Sequence, residues 1–167
     1  MADDVATPLH ARRKQTDDAE LARLIDIFDR MNGVQHFSHI AGKVRPLSVT
    51  QDELVCELVV DAEHVNSKGT LHGGCSATLV DIVTARAVGV TVRDKSTSSV
   101  ELSVSYLLPV KLGERIKLVA KVLKVGRSLA FAEISFIRED GKLAVKGKHT
   151  VALLPTAAPI TDTSTKN

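Results

Sequence analysis

The 167-residue chain is poor in cysteine, and this bounds its chemistry. Cys56 and Cys75 are the only two, with no C-x-x-C spacing and no cluster of other metal ligands beside them. This number and spacing predict that both are reduced thiols of an intracellular protein and not part of a disulfide framework or a metal centre. Cys75 falls near the start of a predicted helix, where a thiol pKa can be lowered, but no histidine is placed as its base and a buried, inert thiol is the commoner outcome.

A strong charge of either sign is also missing. The formal net charge is +2, and 25% of the residues are charged. This balance lacks the basic footprint of a nucleic-acid-binding protein, and no acidic tail is present. We therefore expect no nucleic-acid partner, whereas the slight basic excess suits an anionic small molecule.

No apolar run predicts a transmembrane segment. The longest one lies in a central predicted helix and is interrupted by Asp81 and Arg86, which leaves it too short and too charged to cross a bilayer. Residues 1–15 lack the apolar core of a secretory signal, and Asp3 and Asp4 disfavour a mitochondrial presequence. These absences favour a cytoplasmic protein, with mitochondrial import left open.

What is present is the composition and patterning of one domain. Apolar residues make up 44% of the chain, enough for a sizeable core. Residues 1–15 and 155–167 are polar and aperiodic, so both are predicted to be flexible, which leaves a single domain over residues 16–154. Asp17 is placed to cap a first helix and Gly33 to end it. The apolar stripe of that helix comprises Leu21, Leu24, Ile25 and Phe28.

The apolar pattern predicts six strands around a second helix, five of them from strict alternation. Two strands are expected between Ile40 and Asp61, followed by a polar loop from His64 to Leu71 and a helix from Gly73 to Val88. Four more strands follow, at Ser98–Leu107, Arg115–Lys124, Ser128–Ile137 and Lys142–Leu153. Glycine turns between them predict consecutive hairpins, that is, a meander. The order predicts an α+β fold in which a helix covers one antiparallel sheet.

The segment from His72 to Asp81 carries the strongest chemical signal. Asp81 stands in an otherwise apolar, small-residue helix that begins directly after His-Gly-Gly. The first amides of a helix lack intrahelical partners and lie at the positive end of its dipole, so the Gly73 amide is a candidate donor to an oxyanion. Asn66 on the preceding loop can supply a second donor, and His72 can orient the loop, donate as well, or simply pack.

Asp81 cannot reach this donor within one chain. It lies nine residues beyond His72, roughly 13 Å along a helix and half a turn around it. If both act in one site, two subunits must place their helices antiparallel and side by side, so the functional unit is a dimer. Alone, Asp81 also fits a paired structural residue. Ser99, on the face that alternation assigns to Glu101 and Ser103, also fits a solvated serine.

Basic residues lie on and between the last strands. On a strand such charges usually face solvent, but as a set they can receive phosphates. The best candidate is the segment Lys124–Leu129, where a glycine turn between two cations offers amides as well as charge. The set comprises Lys111, Lys124, Arg127, Lys146 and Lys148.

Taken in order, these segments resemble the hotdog-fold acyl-CoA thioesterases. The matching motifs, between about residues 66 and 150, are EHVNSKGTLHGG, ATLVD, SVELSVSYLLPVKLGE, VLKVGRSLAF and GKHT. The resemblance implies a hotdog fold: a long central helix wrapped by an antiparallel sheet of about six strands, here with an additional N-terminal helix. It also implies a homodimer with one continuous sheet, and usually a homotetramer made of two such dimers.

The resemblance also implies roles for individual residues. Asn66 and the Gly73 amide would polarise the thioester carbonyl with His72 beside them, while Asp81 and Ser99 of the partner subunit would hold or activate the water. Asp81 would act as a base or as a transient nucleophile. Two segments resemble those that line the family's CoA groove. They comprise Tyr106, Leu107, Leu108, Pro109, Val110 and Lys111, and Lys124, Val125, Gly126, Arg127, Ser128 and Leu129.

The expected activity is hydrolysis of medium- to long-chain fatty acyl-CoA to a free acid and CoA, with no metal and no redox cofactor. A different class of function, a non-catalytic acyl-CoA or lipid-binding module, would keep the same fold and groove. A dehydratase of this fold would need a histidine and an acid in a spacing that the sequence does not contain.

Overall fold

The computed structural model describes residues 15–155. The flexible ends predicted from composition lie almost wholly outside the described residues, so they stay predictions. Two α-helices are present, α1 (Asp18–Asp29) and α2 (Gly73–Thr91), with short 3-10 turns at Phe37–Ala41 and Ala62–His64. The strands are β1 (Arg45–Val49), β2 (Glu53–Val59), β3 (Lys95–Tyr106), β4 (Arg115–Val125), β5 (Leu129–Arg138) and β6 (Leu143–Pro155).

Helix α1 begins at its predicted cap. The Asp17 side chain accepts a hydrogen bond from the Glu20 amide at 3.0 Å, as a helix N-cap does. Leu24 and Phe28 are fully buried, whereas Ile25, predicted on the same stripe, is 37% exposed. The Asp17 amide also donates to the Val49 carbonyl at 2.9 Å, which ties the start of α1 to β1.

The six strands form one antiparallel sheet in the order β1-β2-β4-β5-β6-β3. The helix-plus-sheet architecture predicted from the sequence is therefore confirmed. Helix α2 packs on one face, where Leu54, Cys56 and Leu58 of β2 are fully buried as their alternation predicted. At the centre of the contact a Cβ on Gly147 would lie 2.6 Å from Val80. This glycine is what allows α2 to approach the sheet so closely.

The predicted four-strand meander is wrong at its first strand. Strands β4, β5 and β6 are consecutive neighbours, but β3 pairs with β6 at the sheet edge and β4 pairs with β2. The connection from β3 to β4, residues 107–114, contains Pro109 and is too long for a tight hairpin. It runs instead beside the start of α2, where the Leu71 amide donates to the Val110 carbonyl at 2.7 Å.

Helix α2 is three residues longer than predicted and ends at Thr91. By length and composition alone it is apolar enough to cross a membrane, so the sequence argument that it is too short is wrong on that point. Half of the 18-residue apolar stretch of α2 is buried inside the domain, as expected of a core helix. Its other side, which includes Asp81, is left partly open to solvent.

Candidate active site

Within residues 15–155 the start of α2 presents two amides without a hydrogen-bond partner, those of Gly73 and Cys75. His72 is the N-cap residue, and its Nδ1 atom accepts a hydrogen bond from the Gly74 amide at 2.9 Å. Because Nδ1 accepts, the neutral ring carries its proton on Nε2. Within residues 15–155 the Gly73 amide has no hydrogen-bond partner. His72 therefore stabilises the helix start and leaves the Gly73 amide as a free donor there.

A cleft opens directly beside this amide. The Tyr106 hydroxyl donates to the Gly73 carbonyl at 3.0 Å, and the tyrosine ring lies 3.5 Å from the position a Cβ on Gly73 would occupy. The cleft has a volume of about 290 Å³. It is lined by Leu71, Gly73, Ser76, Tyr106, Leu107, Leu108, Pro109, Val110 and Val145. Five of the six predicted residues of the first CoA segment thus share one apolar wall with the helix start.

Asn66 occupies a tight turn that precedes this helix. Its Oδ1 atom accepts from the Lys68 amide at 2.9 Å, and its Nδ2 atom donates to the Thr70 hydroxyl at 3.0 Å. The side-chain amide is therefore oriented, with one N–H of Nδ2 remaining to donate. Asn66 is not among the residues that line the cleft.

Asp81 and Ser99 are brought together. The Ser99 hydroxyl donates to Asp81 Oδ1 at 2.6 Å. This overturns the assignment of Ser99 to the outer face with Glu101. The register of β3 against β6 shifts between Ser99 and Glu101, where Val100 is an extra residue, and such a bulge moves the preceding residues to the opposite face. Ser99 therefore faces α2.

A buried histidine that the sequence argument missed adjoins this pair. His149 on β6 is 2% exposed. Its Nδ1 atom lies 2.6 Å from the Thr84 hydroxyl, and its Nε2 atom lies 3.3 Å from Asp81 Oδ1 without the alignment of a hydrogen bond. Burial lowers the pKa of His149, an effect that the nearby Asp81 charge partly offsets. The inward alternation of Val145, Gly147 and His149 was the signal that could have found it.

The two halves of the predicted site lie apart within one chain. Eight residues of continuous helix separate Gly73 from Asp81, about 12 Å of rise. The Asp81 side chain is 44% exposed. One chain therefore presents a donor at the start of α2 and a carboxylate halfway along it, each open to solvent.

The turn at Lys124–Leu129 differs from its prediction in one respect. The Gly126 amide donates to the Leu129 carbonyl at 2.7 Å, so this amide already has a partner and cannot hold a phosphate. The turn gains a cation instead, because Lys95 Nζ donates to the Arg127 carbonyl at 3.2 Å. Lys95 and Tyr106 are the two ends of β3, so one chain places the two predicted CoA segments at opposite ends of that strand.

Other candidate groups have structural partners. Lys146 forms an ion pair with Glu133 at 2.9 Å. Burial raises the pKa of the Cys75 thiol to about 11, which argues against a role as nucleophile. His64, placed in a loop predicted to be polar, is fully buried. Within residues 15–155 no group of three histidine, cysteine or acidic side chains could hold a metal ion.

Comparison with known proteins gives a consistent result. A model of the thioesterase superfamily matches residues 68–145. A Caenorhabditis elegans protein named as a candidate esterase is 55% identical over 84% of this chain and 83% of its own length. Human acyl-coenzyme A thioesterase 13 is 38% identical over 76% of this chain and 91% of its own. The crystal structure of zebra fish thioesterase superfamily member 2 superposes with a TM-score of 0.76 at 39% identity, covering 80% of this chain and 97% of that one.

Proposed function

Because this chain belongs to the thioesterase superfamily, we propose that it hydrolyses medium- to long-chain fatty acyl-CoA to a free carboxylic acid and CoA. The observation that carries the proposal is the Ser99–Asp81 pair, which opens toward solvent on a helix whose first amide is unpaired. A carboxylate that orients a water and an amide that receives an oxyanion are the two elements that thioester hydrolysis requires.

The proposed reaction proceeds by addition and elimination. The thioester carbonyl oxygen is polarised by the Gly73 amide and the remaining Asn66 N–H, both preorganised as donors. Asp81 takes a proton from water while the water oxygen bonds to the carbonyl carbon, with the Ser99 hydroxyl fixing the carboxylate. Collapse breaks the C–S bond, and the CoA sulfur takes the proton from Asp81. Attack by Asp81 itself, through a mixed anhydride, is the alternative route.

The proposed site belongs to two chains. Within residues 15–155 strand β3 is a sheet edge with no further strand beside it, and the open side of α2 includes small residues such as Ala77 and Ala85. Antiparallel pairing of two β3 edges would continue the sheet and bring two α2 helices side by side. Gly73 of the partner subunit would then approach Asp81, whereas Gly73 of the same chain stays about 12 Å away along the helix.

The same pairing would unite the two CoA segments. Two antiparallel β3 strands place the Lys95 end of one beside the Tyr106 end of the other. The cleft at Tyr106–Val110 of the partner subunit then lies next to the Lys124–Leu129 turn of this one. An apolar wall near the thioester and cations farther out match the pantetheine arm and the phosphates of CoA.

Replacing the proposed base tests the function. Asp81→Asn keeps the size of the side chain and removes the proton acceptor, so we expect kcat to fall by about 10²–10⁴, the usual contribution of a general base. The measurement is release of free thiol from a panel of medium- and long-chain acyl-CoA. Asp26→Asn, which removes an exposed carboxylate of α1, is the matched control and should keep full activity.

Two outcomes would count against this proposal. Near-wild-type kcat in Asp81→Asn would remove Asp81 from the mechanism. If the unmodified protein binds CoA but hydrolyses no acyl-CoA in the panel, the non-catalytic binding module is selected instead. Light scattering on the same sample would distinguish the dimer from the homotetramer that we also propose.

A further inference from the structure

We propose that Lys95 is a phosphate-binding residue of this thioesterase, which holds the nucleotide part of CoA together with Lys124 and Arg127. The inference rests on the proposed function and adds a specificity determinant to it. Composition and motif gave no reason to choose Lys95, because it precedes the strand predicted at Ser98. The fold brings it to the basic turn.

Three contacts fix Lys95 beside that turn. Its ammonium donates to the Arg127 carbonyl at 3.2 Å. Its backbone pairs with Pro155 at the end of β6. Two residues earlier on β6, the Leu153 amide donates to the Ser128 carbonyl at 2.8 Å. The position of Lys95 relative to the turn is therefore set by the sheet and does not depend on its long side chain alone.

The cations of the turn, Lys124 and Arg127, are not neutralised by nearby carboxylates. Within residues 15–155 neither Lys124 nor Arg127 forms an ion pair, whereas Lys121 on the same strand pairs with Glu53 at 3.4 Å. The Lys95 ammonium has three N–H donors, and the Arg127 carbonyl takes only one of them. Two cations of the turn without an ion-pair partner, with the Lys95 ammonium from β3 beside them, form a site that suits a phosphate or a pyrophosphate.

The distance from the reaction centre also fits. Lys95 is four residues before Ser99 on β3, about 13 Å along an extended strand. CoA separates its phosphates from its thioester by the pantetheine arm, which can cover such a span. Ser99 holds Asp81, so the thioester end and the phosphate end would both lie along one strand. Lys95 would thus act on binding and not on the chemical step.

The test compares two substrates that differ only in the nucleotide. With acyl-CoA at low salt, Lys95→Gln should raise KM about three- to tenfold, as expected when one charged contact with a phosphate is lost, and leave kcat unchanged. With the acyl-pantetheine thioester of the same chain length, which has no nucleotide, both constants should match those of the unmodified protein. The KM difference for acyl-CoA should shrink as salt is raised.

Lys117→Gln is the matched control, because Lys117 is an exposed lysine toward the opposite end of the sheet. This substitution removes one positive charge, as Lys95→Gln does. Equal KM values for Lys95→Gln and Lys117→Gln, or an equal rise with acyl-pantetheine, would overturn the inference. Failure of the proposed function is distinguishable, since the unmodified protein would then hydrolyse neither substrate. In that case calorimetric binding of CoA decides, with a weaker Kd for Lys95→Gln in support and an unchanged Kd against.

Discussion

Gly73 is the residue at which stability and the proposed catalysis make different demands. A Cβ there would lie 3.5 Å from the Tyr106 ring, an ordinary contact, so alanine fits the folded chain and favours a helix more than glycine does. The same methyl group would project into the cleft beside the free amide. We expect Gly73→Ala to keep the wild-type Tm. Its kcat/KM should fall at least about tenfold, because the methyl group would displace the thioester oxygen from its amide donor.

The measurement for Gly73→Ala pairs thermal unfolding with release of free thiol. A fall in Tm together with activity would mean that the substitution disturbs the start of α2, and the role of the amide would then have to be tested through substrate analogues. Full activity at unchanged Tm would remove the Gly73 amide from the proposed site.

Single residues were predictable from the sequence where their chemistry is unusual for their place. Asp81 was found because a carboxylate inside a small-residue helix requires an explanation. The alternation of β6 places His149 on the inner face, but no local pattern links it to the Thr84 hydroxyl, which is 65 residues away in the sequence. Pattern analysis identifies which residue is out of place, but it does not identify the partners that a distant strand brings to it.

Elements were predicted well, and their pairing less so. The sequence predicted six strands, five of them from period-two alternation. Val100 nevertheless conceals its bulge, because Val100 and Leu102 are both apolar and the alternation looks unbroken. The bulge is what turns Ser99 toward Asp81. The edge position of β3 was missed for a similar reason, since the alternation within a strand does not tell which strand lies beside it.

Two buried histidines join elements, and this predicts how stability depends on pH. His64 Nδ1 accepts from the Asp61 amide at 2.9 Å, and its Nε2 lies 3.2 Å from the Ile40 carbonyl, so it links both 3-10 turns. His149 joins β6 to α2. Burial lowers the pKa of each below 6.5, against the opposing charges of Glu63 for His64 and Asp81 for His149. Both are held neutral in the fold.

Because the histidine pKa is lower in the folded chain, the unfolded chain binds more protons than the folded chain as the pH falls below about 6.5. Stability is therefore full above about pH 6.5 and falls as the pH drops below it, with a slope of up to about 1.4 kcal/mol per pH unit for each histidine. Denaturant unfolding between pH 7.5 and about pH 5 measures this slope, above the range in which carboxylates titrate. His64→Gln should be less stable at neutral pH but show a shallower slope, and an unchanged slope would contradict the account.

At the scale of the whole molecule, the fold was predictable and the assembled site was only partly so. The order of elements and the ordered motifs were enough for the architecture, which the structure confirms. The site depends on what lies against α2 and β3, and one chain contains only its two separate halves. The separation of Gly73 from Asp81 along one rigid helix is itself the physical reason to expect a second subunit.

A shared site predicts a distinctive pattern in mixed dimers. Asp81→Asn and Gly73→Ala should each keep at most about a tenth of the unmodified activity when alone. In a heterodimer of the two, isolated with two affinity tags, one site combines an intact Asp81 with an intact Gly73, so activity should recover to about half that of the unmodified dimer. If both substitutions are placed in one chain and paired with an unmodified partner, each site contains one defect and the heterodimer should be inactive. Sites confined to single chains would give the reverse: no recovery in the first heterodimer and half activity in the second.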